Sequence, residues 1–144
     1  MKSLFRLVMA LALAVGLGAG PTFAGDKDPL FINLTADEAH RVDMAVAFGK
    51  NQLERGHPLT IFLNDRGVLV GSTAKATQFG DQQKALAAVI GQGATVIACP
   101  MCMKFYGVKE ADLLSGVKVG NPDLTGSALF KDDTKTLSWY SHLM

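Results

Sequence analysis

Thr95-Val96-Ile97-Ala98-Cys99-Pro100-Met101-Cys102-Met103-Lys104 is the stretch that decides how this chain folds. Its first four residues form an apolar, β-branched run without polar alternation, the pattern of a short strand buried on both faces. Pro100 suits the first position of a helix, where the N–H that proline lacks has no intrahelical partner to lose. A strand therefore runs straight into a helix, as in a parallel β/α unit. In such units chemistry gathers beyond the carboxyl ends of the strands.

The same alternation extends in both directions. Upstream, Gly91-Gln92-Gly93 terminates a helix predicted over Asp81–Ile90, with Leu86, Val89 and Ile90 on one side. Val68–Gly80 has no clear period and reads as a loop with one helical turn, a length at which loops are often functional. Leu59-Thr60-Ile61-Phe62-Leu63 is a strand closed by the turn Asn64-Asp65-Arg66-Gly67. Leu30–Leu34 is the first strand, and Thr35-Ala36-Asp37-Glu38 has the form of a capping box. The helix it opens carries Ala39, Val42, Val46, Gly49 and Leu53 as an apolar stripe, stopped by Arg55-Gly56 and Pro58. Downstream, the helix from Pro100 is broken near Gly107 and continues towards Ser115. Val117–Val119 is a brief strand, Leu124–Lys131 a weak helix and Thr136–Tyr140 a last strand. Five strands alternating with helices predict an α/β doubly wound sandwich with a five-stranded, mainly parallel sheet.

The 144 residues open with Lys2 and Arg6, an apolar run from Leu7 to Leu17, and Thr22-Phe23-Ala24. This is the layout of a cleavable secretory signal over residues 1–24, with cleavage near Ala24 and one domain over 25–144. The expected location is periplasmic or secreted. No later run approaches the roughly 20 apolar residues that a spanning helix requires, so no membrane association is expected after processing. The signal takes two of the 14 Lys+Arg and none of the 13 Asp+Glu, which leaves the remainder near neutral. With no basic run, a nucleic-acid partner is not expected. No Gly-x-Gly-x-x-Gly follows a strand in the processed chain and no phosphate-binding Gly-Lys-Ser/Thr loop is present, so no nucleotide or other cofactor is expected.

Both cysteines lie in the exported part, three positions apart. A disulfide closing so small a loop removes little unfolded-state entropy, so the pair points to reactivity rather than stapling. Cys99 sits where unpaired backbone N–H groups and the helix dipole favour a thiolate. Lys104, about one turn on, is a candidate for added positive potential, and Cys102 is placed to resolve an oxidised or persulfidated Cys99. Asn33, Asn64, Asp65 and Arg66 fall at carboxyl ends of strands and are expected to line the site. Asp37, Glu38 and Asp43 read as cap and solvent face, His57 as structural, and Tyr106, Trp139 and Tyr140 as packing residues.

Two chemistries fit these residues by themselves, disulfide exchange through Cys99 and Cys102 and soft-metal binding. Cys99, Met101, Cys102 and Met103 are ligands suited to Cu(I), but helical geometry keeps the four from converging on one ion. His40, His57 and His142 lack zinc-site spacing, so no metal is assigned.

Cys99 after the third strand, followed by Pro100-Met101-Cys102-Met103-Lys104-Phe105-Tyr106-Gly107-Val108, with Phe62-Leu63-Asn64-Asp65-Arg66-Gly67-Val68 upstream, resembles the DsrE/DsrF-like family of sulfur-relay proteins. The resemblance spans the exported chain. It implies a flavodoxin-like fold and homo-oligomers such as trimers or hexamers. It also implies a persulfide carried on the cysteine matched by Cys99, with sulfur donor and acceptor thiols or proteins as partners. Members that work without export, and the many without a counterpart of Cys102, differ from this chain.

Overall fold

The computed structural model describes Gly25 and residues 27–140; the predicted signal segment lies outside the described residues. Strands β1 (Leu30–Leu34), β2 (Leu59–Leu63), β3 (Thr95–Ala98), β4 (Val117–Val119) and β5 (Lys135–Trp139) make one sheet in the order β4-β3-β2-β1-β5. Every neighbouring pair is parallel. Between them run α1 (Ala39–Glu54), α2 (Gly67–Val70), α3 (Ala76–Gly91), α4 (Pro100–Tyr106) and α5 (Pro122–Leu129), with single 3-10 turns at Thr73–Lys75 and Glu110–Asp112.

The connections from β1 to β4 all step the same way across the sheet. Right-handed crossovers therefore place their helices on one face. The main core lies under that face: Leu30, Ile32, Leu34, Ile61, Leu63, Val96 and Ala98 point into it and meet Val42, Val46, Leu86 and Val89 from α1 and α3. The pleat turns the alternate residues the other way. Phe31 and Ile97 are buried there without joining the main core, and Phe31 meets Phe62 with ring centroids 6.1 Å apart. The β4-to-β5 connection runs back across the sheet, so α5 covers the second face. A Cβ built on Gly120 would lie 3.1 Å both from Ile97 Cγ2 and from Thr125 Oγ1 of α5. The sheet is thus wound on both sides, as the alternation predicts, and wholly rather than mainly parallel.

Two local expectations are corrected. Thr35 does not cap α1: the helix starts after Glu38, which places no side-chain cap. The Thr35 hydroxyl instead donates to the Trp139 carbonyl at 3.0 Å, tying β1 to β5. With the start moved, Ala39 is exposed and the buried stripe is Val42, Ala45, Val46 and Gly49. Thr35→Val is therefore expected to cost about 1 kcal/mol in urea unfolding, the net worth of one hydrogen bond, while helical circular dichroism stays at the wild-type level. A capping role would instead reduce helicity.

Second, Val68–Gly80 is not an open loop. Val68 and Val70 are fully buried, and α3 begins at Ala76 rather than Asp81. Its first turn lacks period because the helix bends at Phe79 (φ −121°, ψ 21°), whose ring enters the core. Gln82 and Gln83, just after the bend, are buried. Each amide finds an acceptor, Asp43 Oδ1 at 2.8 Å and the Ser72 carbonyl at 2.7 Å, which offsets the cost of burying it. Asp43 is exposed, as expected of the solvent face, and through this bond it also joins α1 to α3.

Candidate functional site

β3 delivers Cys99 to the start of α4, where it is the N-cap with φ −68° and ψ 115°, and Pro100 follows at the first helical position. The Cys99 N–H donates to the Leu63 carbonyl at 2.9 Å, continuing the ladder with β2. Its Sγ is left facing the helix start. There it accepts the backbone N–H of Cys102 at 3.4 Å and the Cys102 thiol at 2.8 Å. Both thiols are free and partly exposed. Gly107, at φ 71°, takes the left-handed turn that ends α4 after seven residues, a conformation glycine adopts without steric cost.

The turn after β2 holds Cys102 from the other side. Asp65 donates its backbone N–H to Cys102 Sγ at 3.2 Å, and Asn64 Oδ1 lies 3.1 Å from the same sulfur. Asn64 Oδ1 also accepts the Asp65 N–H at 2.9 Å. Asp65 adopts φ 45°, sparsely populated for a residue with a side chain and tolerated best by Asn and Asp. The Asn64 amide reaches back to Asn33 Oδ1 at 3.4 Å, which links the ends of β1, β2 and β3. Tyr106 closes the cradle with a hydroxyl bond of 2.5 Å to Asp65 Oδ1. That bond, ahead of desolvation, raises the phenol above its usual pKa.

The two sulfurs are not equivalent. Burial, then the hydrogen bond to Cys99, pushes the Cys102 thiol up to about 11, against the lowering effect of the Asp65 N–H. Cys102 thus keeps its proton at neutral pH and lends it to Cys99. The neutral thiol is the form the fold favours, so this contribution to stability is present below the ordinary thiol pKa and is lost as pH rises towards about 11. Two units of pKa cut the thiolate fraction about a hundredfold, and the greater intrinsic nucleophilicity of a more basic thiolate recovers about half of that logarithm. Iodoacetamide at pH 8 is therefore expected to modify Cys102 about tenfold more slowly than an unperturbed cysteine, as read by peptide mass mapping. In Cys99→Ala the hydrogen-bond and charge effects of Cys99 disappear, and Cys102 alkylation should quicken.

Of the site residues expected from sequence, Asn33, Asn64, Asp65, Cys99 and Cys102 come together. Arg66 turns aside: its Nε and Nη2 bond Asp37 Oδ1 and Oδ2 at 2.8 and 2.6 Å. That pairing raises the guanidinium pKa, through the hydrogen bond first and the charge second. Asp37, expected at the solvent face, is buried by this contact, which joins the β1 and β2 ends behind the thiols. Lys104 is exposed on the last turn of α4 and makes no hydrogen bond or ion pair among the described residues. Tyr106 is the partner that sequence reading missed. It lies four residues after Cys102, on the same helix face, and that spacing was the available signal. Asp37 had none, since its partner is 29 residues away.

For a metal, the donors are Cys99 and Cys102 alone. Met101 is 81 % exposed while Met103 is 5 % exposed and in the core, so the thioethers do not converge. No group of three or more His, Cys, Asp or Glu fit to hold a metal ion occurs among the described residues. Nor, among them, is any helix long and apolar enough to cross a membrane.

Three solved structures share the fold. MTH1491 from Methanobacterium thermoautotrophicum, described as a protein of unknown function, superposes with a TM-score of 0.65 at 17% identity, over 76% of this chain and 97% of that one. The ychN protein from E. coli gives 0.61 at 19% identity over 78% and 98%. BT1422 from Bacteroides thetaiotaomicron, a conserved protein of unknown function, gives 0.60 at 24% identity over 77% and 94%. No functionally curated protein matches the sequence. Residues 27–132, from just before β1 to just past α5, match the DsrE/DsrF-like family, and the chain belongs to it.

Proposed function

We propose that this protein relays sulfur through Cys99, with Cys102 as the resolving thiol. The observation that carries the reading is the placement of Cys99 Sγ at the start of α4, where it receives the Cys102 N–H and thiol. In the loading step the Cys99 thiolate attacks the outer sulfur of a donor hydropersulfide, R–S–SH. A new S–S bond forms as the donor's breaks, giving Cys99–S–SH and the thiolate R–S⁻. In delivery, an acceptor thiolate attacks that outer sulfur, takes it as its own persulfide and returns Cys99 as thiolate. Cys102 offers another exit: as its thiolate it attacks the inner sulfur, forming the Cys99–Cys102 disulfide and releasing hydrosulfide, after which an external dithiol must reduce the pair. Residues 1–24, read as a secretory signal, support a setting in the periplasm or outside the cell, and the family resemblance supports thiol-bearing donors and acceptors as partners and a homo-oligomer.

Disulfide exchange is the second reading, favoured by the 2.8 Å approach of the two sulfurs. Intact-mass analysis of the reduced protein after exposure to inorganic polysulfide separates them. A gain of one sulfur atom, lost again when an acceptor thiol is added, is the expected result. Loss of two hydrogens in wild type with no one-sulfur adduct trapped in Cys102→Ser, together with turnover of disulfide substrates, would replace the relay with the redox reading.

A further inference from the structure

Each sulfur of the thiol pair has a backbone donor that does not depend on the thiol hydrogens. Cys99 Sγ accepts the Cys102 N–H at 3.4 Å, and Cys102 Sγ accepts the Asp65 N–H at 3.2 Å. The sulfurs themselves lie 2.8 Å apart, joined by the Cys102 hydrogen, and both residues are partly exposed. A cation that replaces this hydrogen meets two sulfurs at once. It meets no third ligand of the usual kind, since no cluster of three or more His, Cys, Asp or Glu fit for a metal occurs among the described residues. We infer that Cys99 and Cys102 form a two-ligand site for a soft monovalent cation, Cu(I), bound in place of the shared hydrogen.

The donor set selects this ion. Thiolates favour soft cations, and a structural zinc site closes with four ligands where this one offers two. The thioethers do not make up the number, because Met101 is 81 % exposed and Met103 only 5 % exposed, on different faces of α4. Nor do the oxygens of the β2 turn. The Asp65 carboxylate holds the Tyr106 hydroxyl, and Asn64 Oδ1, 3.1 Å from Cys102 Sγ, is a neutral hard oxygen that already accepts the Asp65 N–H. A filled-shell monovalent ion is satisfied by the two sulfurs alone.

Binding moves no electron. Copper stays at +1, two Cu–S bonds form, and any hydrogen still on a thiol leaves to solvent as a proton. The bis-thiolate complex carries one net negative charge, which the two N–H donors oppose through charge-assisted hydrogen bonds. The 2.8 Å approach of the sulfurs widens to admit the ion. Both side chains are partly exposed, so they can part towards solvent, while the N–H groups belong to the backbone and stay in place. Groups of this kind behind the ligands are what fix their orientation on a metal. Bound copper occupies the same two sulfurs that the relay uses, so metal and carried sulfur exclude each other.

The test is anaerobic transfer of Cu(I) from its bicinchoninate complex to phosphine-reduced protein, followed by the loss of the complex's colour, for wild type, Cys99→Ser, Cys102→Ser and Met101→Ser. Wild type is expected to take one Cu(I) per chain, with two sulfur neighbours by X-ray absorption. Met101→Ser should match it. Each cysteine variant should bind about a hundredfold more weakly or worse, since losing one of only two ligands exceeds the effect of losing a group behind them. Zn(II), offered from a chromophoric chelator of its own, should stay with the chelator. Four results overturn the site: no copper moving to wild type, a folded cysteine variant that holds copper as tightly, a third protein ligand in the absorption spectrum, or equal uptake of Zn(II). The wild-type stoichiometry and spectrum decide the matter even if a variant fails to fold. No sulfur donor enters the titration, so failure here is separate from failure of the sulfur-relay reading.

Discussion

Cys99→Ser is expected to lower the rate of sulfur uptake from polysulfide by about a thousandfold or more, the scale on which removing a nucleophile acts. The fold should not suffer. Serine is among the best N-cap residues, and its hydroxyl takes the place of the sulfur that now accepts the Cys102 N–H. Unfolding free energy is therefore expected to stay within about 0.5 kcal/mol of wild type, as for substitutions that create no cavity or orphaned polar group. Cys102→Ser should behave differently. Loading persists, because the attacking sulfur remains, while hydrosulfide release by internal disulfide formation stops. Mass spectra taken over time would show the one-sulfur adduct accumulating in Cys102→Ser, turning over in wild type and absent in Cys99→Ser. Equal loss of loading in both variants would contradict the division of labour argued from the raised pKa of Cys102.

Gly67→Ala carries the largest expected effect on stability. A Cβ on Gly67 would fall 2.1 Å from the Leu34 carbonyl oxygen, far inside van der Waals contact and against backbone rather than a side chain that can swing away. That oxygen also accepts the Asn64 N–H at 2.9 Å. The methyl must therefore separate the β2 turn from the end of β1. The expected cost is about 3 kcal/mol, the upper part of the overpacking range, or about 12 °C in Tm for a domain of this size. The site should respond as well, since the same turn presents Asn64 and Asp65 to Cys102: alkylation of Cys102 should speed up as the cradle loosens. Gly80→Ala is the control. It lies in α3 with nothing within 4 Å of the added Cβ, and alanine there should be neutral or stabilising by up to about 1 kcal/mol. A Tm for Gly67→Ala within a few degrees of wild type would show that the β1–β2 junction yields more easily than the close approach implies.

The residues that local physics governs were legible. Leu30–Leu34, Leu59–Leu63 and Thr95–Ala98 are strands within the bounds read from their apolar runs. Cys99-Pro100 marked a helix start because an N-cap followed by proline satisfies conditions set within one turn of chain. Less is visible where burial overrides pattern: the start of α3 lacks a helical period because Phe79 leaves helical geometry to reach the core, and Thr35 has the form of a cap while its acceptor, Trp139, is 104 residues away.

By itself, the sequence determined that strands and helices alternate and that a thiol stands at the third strand-to-helix junction, since both depend on periodicity and on the backbone preferences of neighbouring residues. Only the tertiary structure decided that burial and Cys99 push the Cys102 thiol up, that Asp65 bonds its sulfur and Tyr106 bonds Asp65, that Arg66 is spent on Asp37, and that β5 ends the sheet among the described residues. Those outcomes depend on which strand ends lie side by side. That adjacency comes from hydrogen bonding between segments tens of residues apart, and nothing in the local chain encodes it.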